Sequence, residues 1–325
     1  MRYLTRRVLF YLLTLWAAIT LNFAIPRLMP GNPVQAMLSR FRGQVSPAAT
    51  ASFTKLFGLN NASIWSQYWT YLSHLAHGDL GISFSYYPST AAQVIMTSLP
   101  WTAALIGVAT VLSFAIGTVL GIMSGWWRGS WMDALLPVTT FLGSIPYFWF
   151  GLLAAFVLAD QLHWFPLSGA TATTTAITFS GTFILSALYH AILPAGTIVV
   201  SSIGGWMLGM RNMMVTTGSE DYVLMAEAKG LTPRRIMVTY AARNAILPSL
   251  ASFAMSLGFV VSGAILTEIV FSYPGLGYVL FQAVTNNDYP LMQGVFLIVT
   301  VAVLAANFIA DLAYVALDPR TRPAR

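Results

Sequence analysis

Six stretches of this 325-residue chain are apolar over about the 20 residues that a helix needs to cross a bilayer. They run at about Val8–Ile25, Ala103–Trp127, Ala134–Leu158, Ile192–Met214, Leu247–Val270 and Leu291–Leu317. Composition leaves no water-soluble alternative. Hydrophobic residues make up 57% and charged residues 8%, against about 25% charged in soluble domains. So few charges cannot cover the surface of a soluble protein this long. The spacing predicts an all-α polytopic membrane protein with six transmembrane helices. There is no cysteine, which excludes disulfides, thiol catalysis and cysteine metal sites. The only lysines, Lys55 and Lys229, lie outside any GxxxxGK[ST] loop, so the chain carries no Walker A site of its own.

Arg2, Arg6 and Arg7 precede the first stretch, as in a signal peptide. Its apolar run is longer than a signal-peptide core, however, and no clear small-x-small cleavage site follows, so it is expected to stay as an anchor helix. Basic residues in short loops orient the rest. With the N-terminus in the cytoplasm, all but four of the 16 Lys and Arg residues fall inside. The four are Arg27, Arg40, Arg42 and Lys55, all in one long loop where the charge rule is weak. The short outside loops, about 159–190 and 271–290, hold no Lys or Arg. Both termini are therefore expected in the cytoplasm.

This gives four regions: 1–28, an N-terminal tail with the first helix; 29–101, an extracytoplasmic segment; 102–317, a five-helix core with an inner loop at about 217–247; and 318–325, a cytoplasmic tail. The extracytoplasmic segment is the most polar part. Its Trp- and Tyr-rich middle, Ile64 to His77, suits a helix lying at the membrane interface.

Gly117, Gly121 and Gly125 form a doubled GxxxG in the second span, and Gly205 and Gly209 repeat the spacing in the fourth. Such spacing lets another helix backbone approach closely. Few ionisable groups lie at membrane depth. Glu268 falls near the outer end of the fifth span, where it suits the mouth of a pathway. Asp311 in the sixth, with Asn307 one turn earlier, suits a pathway or the bundle interior. A proton or ion relay needs more such groups. His74, His77, His163 and His190 all map outside the membrane or at its outer edge, and His74-x-x-His77 lacks the third ligand a zinc site requires. No catalytic constellation and no metal site is expected.

The inner loop from Thr217 to Pro248 is the most informative segment. Ser219-Glu220-Asp221 sets a capping serine and two acids at a helix start. Tyr222, Met225, Ala226 and Lys229 then recur at helical spacing, and Gly230 ends the helix. Thr232 and Pro233 are a new N-cap and first-turn pair. A short helix tipped by Ala226, Ala228 and Gly230 offers a knob for a groove on a soluble partner. By composition alone, the loop suits docking and an ordinary capped connection equally.

The segment Asp221-Tyr222-Val223-Leu224-Met225-Ala226-Glu227-Ala228-Lys229-Gly230-Leu231, with Arg234-Arg235 and Arg243-Asn244-Ala245-Ile246-Leu247-Pro248, resembles the EAA loop of ABC importer permeases, in the oligopeptide, dipeptide and nickel branch. The usual EAA letters fall on Leu224-Met225-Ala226, so only Ala226 and the later Gly230 match strictly. The branch's Ala-x-Ala-Lys-Gly is intact at Ala226 to Gly230. Five further blocks match in order: Arg6-Arg7; Met29-Pro30-Gly31-Asn32-Pro33, with Asn32 for the usual aspartate; Gly78-Asp79-Leu80-Gly81 with Ser83; Glu268 to Gly277; and Leu317-Asp318-Pro319-Arg320. The resemblance spans the full length.

The resemblance implies a six-helix type I importer permease fold in a bacterial or archaeal inner membrane. It implies a second permease subunit of the same family, two ATPase subunits that bind the inner loops, and an extracytoplasmic substrate-binding protein. The long outside segment resembles the first-subunit type, so a heterodimer is expected. Tyr222, Ala226, Glu227, Ala228, Lys229, Gly230 and Leu231 would couple to the ATPases. Glu268, Tyr273, Pro274 and Gly275 would shape the outer mouth or gate. The chain would need no cofactor, since ATP and magnesium sit in the partner ATPases, and it would bind lipid but no nucleic acid. Peptides are the implied cargo, with nickel complexes and oligosaccharides as the branch's other cargoes. The rival class, an ATP-independent secondary transporter, calls for several in-membrane charges or broken helices at the midplane.

Overall fold

The computed structural model describes residues 2–28, 63–175, 177–178, 180–260 and 265–317, with side chains from 6 to 309. The Met29–Pro33 block and the tail from Asp318 lie outside the described residues. The described chain is helical apart from loops and one antiparallel bridge between Ile82 and Thr90. The helices are α1 (Arg2–Leu28), α2 (Ile64–Ala76), α3 (Ala91–Trp126), α4 (Trp131–Ser144), α5 (Tyr147–Ala154), α6 (Gly181–Thr217), α7 (Asp221–Ala228), α8 (Pro233–Arg235), α9 (Arg243–Gly258), α10 (Ile265–Val270), α11 (Leu276–Thr285) and α12 (Tyr289–Leu317). Two π-helical stretches, Ala155–Gln161 and Ile236–Ala242, extend α5 and join α8 to α9.

Four helices, α1, α3, α6 and α12, are long and apolar enough to cross a membrane. The predicted third stretch is not a straight span. It is a pair, α4 and α5 with its extension, bent by 89°. The bend falls at Pro146, which has no N–H to continue the ladder, and Ile145 before it is extended at ψ 130°. The predicted fifth stretch falls on α9 and α10, with residues 261–264 outside the described residues. Two helices also start well before their predicted boundaries. α3 runs through Pro100, and α6 runs through the buried Pro194.

The described chain divides into two compact units. The first draws on Met1–Thr102, Val261–Ile265 and Pro274–Arg325. Here α1 packs along α12, where Asn22 Nδ2 donates to the Gln293 carbonyl at 2.7 Å and Tyr11 meets Phe308 edge-on. Ala91, Val94 and Ile95 of α3 pack with Leu276, Val279 and Ala283 of α11 and with Leu291, Met292 and Val295 of α12. The fully buried Asp288 precedes α12 and fastens the loop after α2. It accepts from the Ser83 hydroxyl (2.5 Å), the Ser85 N–H (2.7 Å) and the Leu291 N–H (3.2 Å).

The second unit draws on Ala103–Val260 and Leu266–Tyr273. The α3 glycines set its geometry. A Cβ on Gly117, Gly121 or Gly125 would lie 2.6 Å from the Cβ of Trp206, Met210 or Met214 in turn. No side chain fits, so α3 and α6 pack backbone to backbone. On α6 the close approach is made by Gly204, against the Thr139 carbonyl of α4. The expected Gly205 and Gly209 have nothing within 4 Å. Phe114 of α3 stacks on Phe253 of α9 with ring centres 4.3 Å apart.

Candidate functional site

The inner loop forms a small module at the end of α6. That helix ends at Gly218, and the Ser219 hydroxyl donates to the Thr216 carbonyl. Ser219 therefore closes α6 and does not cap α7, contrary to its sequence reading. Glu220 occupies the N-cap of α7 and bonds through its backbone carbonyl to the N–H groups of Val223 and Leu224. The helix ends in a Schellman turn. The Leu231 N–H reaches the Ala226 carbonyl and the Gly230 N–H reaches the Glu227 carbonyl, with Gly230 at φ +73°. Space around Gly230 is open, so its requirement is the left-handed backbone and not tight packing. Thr232 and Pro233 take up the expected N-cap and first-turn positions.

The faces of α7 divide differently from the expected knob. Val223 and Ala226 are buried in a cluster with Met210 and Met214 of α6, with Ile236, Met237, Ala241 and Ala242 of the π-helical stretch, and with Ala245 of α9. Ala226 is thus an anchor facing inward. Leu231 packs against the same cluster. Tyr222, Leu224, Met225, Glu227, Ala228 and Lys229 face outward, with Leu224 51% and Met225 59% exposed. An eight-residue helix is marginal alone in water. This one is fixed by its inward pair, and it leaves an apolar outer face flanked by a carboxylate and an ammonium.

A second feature supports this end of the unit. Arg211 of α6 binds Asp133 of α4 through two bonds, Nε to Oδ1 at 2.6 Å and Nη2 to Oδ2 at 3.2 Å. Asp133 also accepts the Gly129 N–H at 3.1 Å, and Arg128 donates to the Val215 carbonyl at 3.2 Å. The Arg211 bond and then the Gly129 N–H hold the Asp133 carboxyl below its ordinary value. The sequence reading missed this pair. Its one signal was two opposite charges at the same ends of neighbouring apolar stretches.

The four residues expected at an outer mouth divide between the two units. In the second, Glu268 lies fully buried on α10, and its backbone carbonyl accepts from the Tyr273 N–H at 2.8 Å. Tyr273 is buried as well, so its side chain presents no free surface. Burial, then the Glu268 charge, pushes its hydroxyl up to about 12. In the first, Pro274 is half-buried and Gly275 is the N-cap of α11, whose Leu276 N–H is accepted by the Thr102 hydroxyl at 2.7 Å. Asn307 is half-buried on α12. Asp311 lies in the same helix, and its side chain is outside the described residues. His74 pairs with Asp79 at 2.8 Å, and His77 with the Ser73 carbonyl. Among the described residues, no three His, Cys, Asp or Glu side chains gather as metal ligands do.

Residues 117–323 match the family of binding-protein-dependent transport system inner membrane components. The chain is 31% identical to the oligopeptide transport system permease protein AppB of Bacillus subtilis, over 98% of each chain. It is 33% identical to the di/tripeptide transport system permease protein DppB of Pseudomonas aeruginosa, over 99% of each. It is 32% identical to the dipeptide transport system permease protein DppB of Escherichia coli K12, again over 99% of each.

Proposed function

Since the chain belongs to the family of binding-protein-dependent transport system inner membrane components, we propose that it forms half of the pathway of an ATP-driven peptide importer. In this reading a second permease of the family supplies the other half. Two ATPase subunits bind ATP and magnesium and dock on the cytoplasmic loops. A substrate-binding protein delivers di- or oligopeptides to the outer face. Both termini lie in the cytoplasm, and this chain carries out no covalent chemistry.

The observation that carries the proposal is the two-faced helix α7. Its outer face, Tyr222, Leu224, Met225, Glu227, Ala228 and Lys229, seats in an ATPase groove. Its inner face, Val223 and Ala226, is packed on the ends of α6 and α9. When ATP draws the ATPases together, α7 moves with its groove and carries α6 and α9 with it. The equilibrium between inward-open and outward-open states then shifts by the difference in contact free energy between them. Glu268 and Tyr273 serve as interior wall residues, and Pro274 and Gly275 as the turn that starts α11. The peptide assignment rests on the names of the relatives.

The test is to purify the chain with its ATPases and compare Leu224→Asp with Met225→Asp. Both are expected to lose the ATPase subunits and peptide uptake while the permease keeps its melting temperature. Normal co-purification in both variants would sink the coupling role. Uptake of a labelled tripeptide, supplied on the binding protein in proteoliposomes, tests the cargo separately.

A further inference from the structure

We propose that α2 is a membrane-interface anchor whose Trp65, Trp69, Leu72 and Ala76 stripe sits in the lipid headgroup boundary at the far end of α1.

Depth is fixed by α1. Arg6 and Arg27 bracket its apolar run within one helix, a separation of about 30 Å at the helical rise, which is the thickness of the hydrocarbon layer. Arg27 therefore marks the headgroup level, and α2 is held between that level and Thr20, about 10 Å deeper at the helical rise, which is the depth to which an interfacial helix buries its apolar face. Its Gln67 accepts from Arg27 Nε at 3.1 Å, Tyr68 shares a 2.8 Å hydrogen bond with Thr20, and Tyr71 accepts from Asn22 at 3.4 Å. The rings of Tyr68 and Tyr71 also pack against Phe23, over which Arg27 lies at 3.7 Å.

The rest of α2 is divided as an interfacial helix requires. Ser66, Thr70, Ser73 and His77 form one exposed polar arc. Trp65, Trp69, Leu72 and Ala76 recur at i, i+4, i+7 and i+11 beside it, with Trp65 72% and Trp69 68% exposed. Alongside, α1 exposes Leu21 and Ile25 at the same depth, on the side its α2 contacts leave open. Acyl chains that cover those residues end where α2 lies. Indole rings prefer that boundary, since they bury an apolar face and keep an N–H for water or headgroups. The chain would thus pin the end of its first helix to one leaflet.

The chain has no cysteine, which makes the test direct. Trp65→Cys, Trp69→Cys, Ser66→Cys and Ser73→Cys are each labelled with bimane in proteoliposomes of phosphatidylethanolamine and phosphatidylglycerol, with the partner subunits present. A lipid carrying a nitroxide near the acyl carbonyl is expected to quench labels at 65 and 69 several-fold more than those at 66 and 73. Aqueous iodide is expected to give the reverse. Iodide quenching as strong at 65 and 69 as at 66 would place the stripe in water and overturn the proposal. Shielding from both quenchers would assign the stripe to a protein partner and overturn it equally. Ala76→Cys, on the same stripe, gives the same readout with both tryptophans intact.

Discussion

Arg211 and Asp133, 78 positions apart, meet through two hydrogen bonds of 2.6 and 3.2 Å and tie the end of α6 to the start of α4. The pair is mostly shielded, with side chains 25% and 18% exposed. Because Arg211 and the Gly129 N–H hold the Asp133 carboxyl below its unfolded value, the contribution to stability is present above that unfolded value, near 4. It is lost as pH falls through the lower folded value. Asp133→Asn is therefore expected to melt a few degrees lower at neutral pH and to respond less to acid than the parent. Thermal melts in detergent between neutral pH and about pH 3 check this. Equal acid sensitivity in both proteins would remove the pair from the account.

Gly230 carries a left-handed backbone in open space. Gly230→Ala should cost about 1–2 kcal/mol locally, Gly230→Asn less, and the β-branched Gly230→Val most. Expected co-purification of ATPase subunits follows the order Gly, Asn, Ala, Val. A Val variant as competent as Asn would refute the turn requirement.

The inner face of α7 predicts the opposite phenotype from its outer face. Val223→Ala removes buried apolar surface and should cost up to about 2 kcal/mol of permease stability. It should also loosen α7, so melting temperature and ATPase retention fall together. For Met225→Asp only retention should fall.

The α3 glycine row predicts a steric contrast. Gly121→Ala puts a methyl 2.6 Å from the Met210 Cβ and close to the Met207 carbonyl, a backbone atom that cannot turn aside. A loss of about 1–3 kcal/mol is expected from overpacking. Gly209→Ala has open space and should leave the melt of the isolated chain unchanged. Comparable losses in the two variants would overturn the packing argument.

Much of this was legible in the chain itself. Apolar length locates helices because hydrocarbon satisfies no backbone group. Left-handed Gly230 and the Thr232-Pro233 restart were readable because local chemistry decides them. Proline was not a reliable boundary. At Pro100 and Pro194 the helix continues, whereas at Pro146 it breaks with Ile145 extended. The one lost donor is the same in each case, and packing chooses the outcome. The Gly204-Gly205 pair has the same limit, since spacing gives the faces of α6 and not which of them is covered. Ala226 turned inward for a related reason. A short helix on a bundle needs an anchor, and the buried Val223 three positions earlier sets which side supplies it.

The break at Ile145-Pro146 also changes the mechanics of the molecule. An unbroken helix resists bending because each added degree stretches a ladder of hydrogen bonds. Between α4 and α5 that ladder is already interrupted, and the arms stand at 89°. With the ladder interrupted, the angle is held by packing: α4 rests on α6 where Gly204 meets the Thr139 carbonyl, and the extension of α5 buries Ala155 in one cluster with Leu193 of that same α6. The second unit therefore has a corner braced by a third helix where its sequence suggested a straight rod, and a displacement of α6 bears on both arms at once.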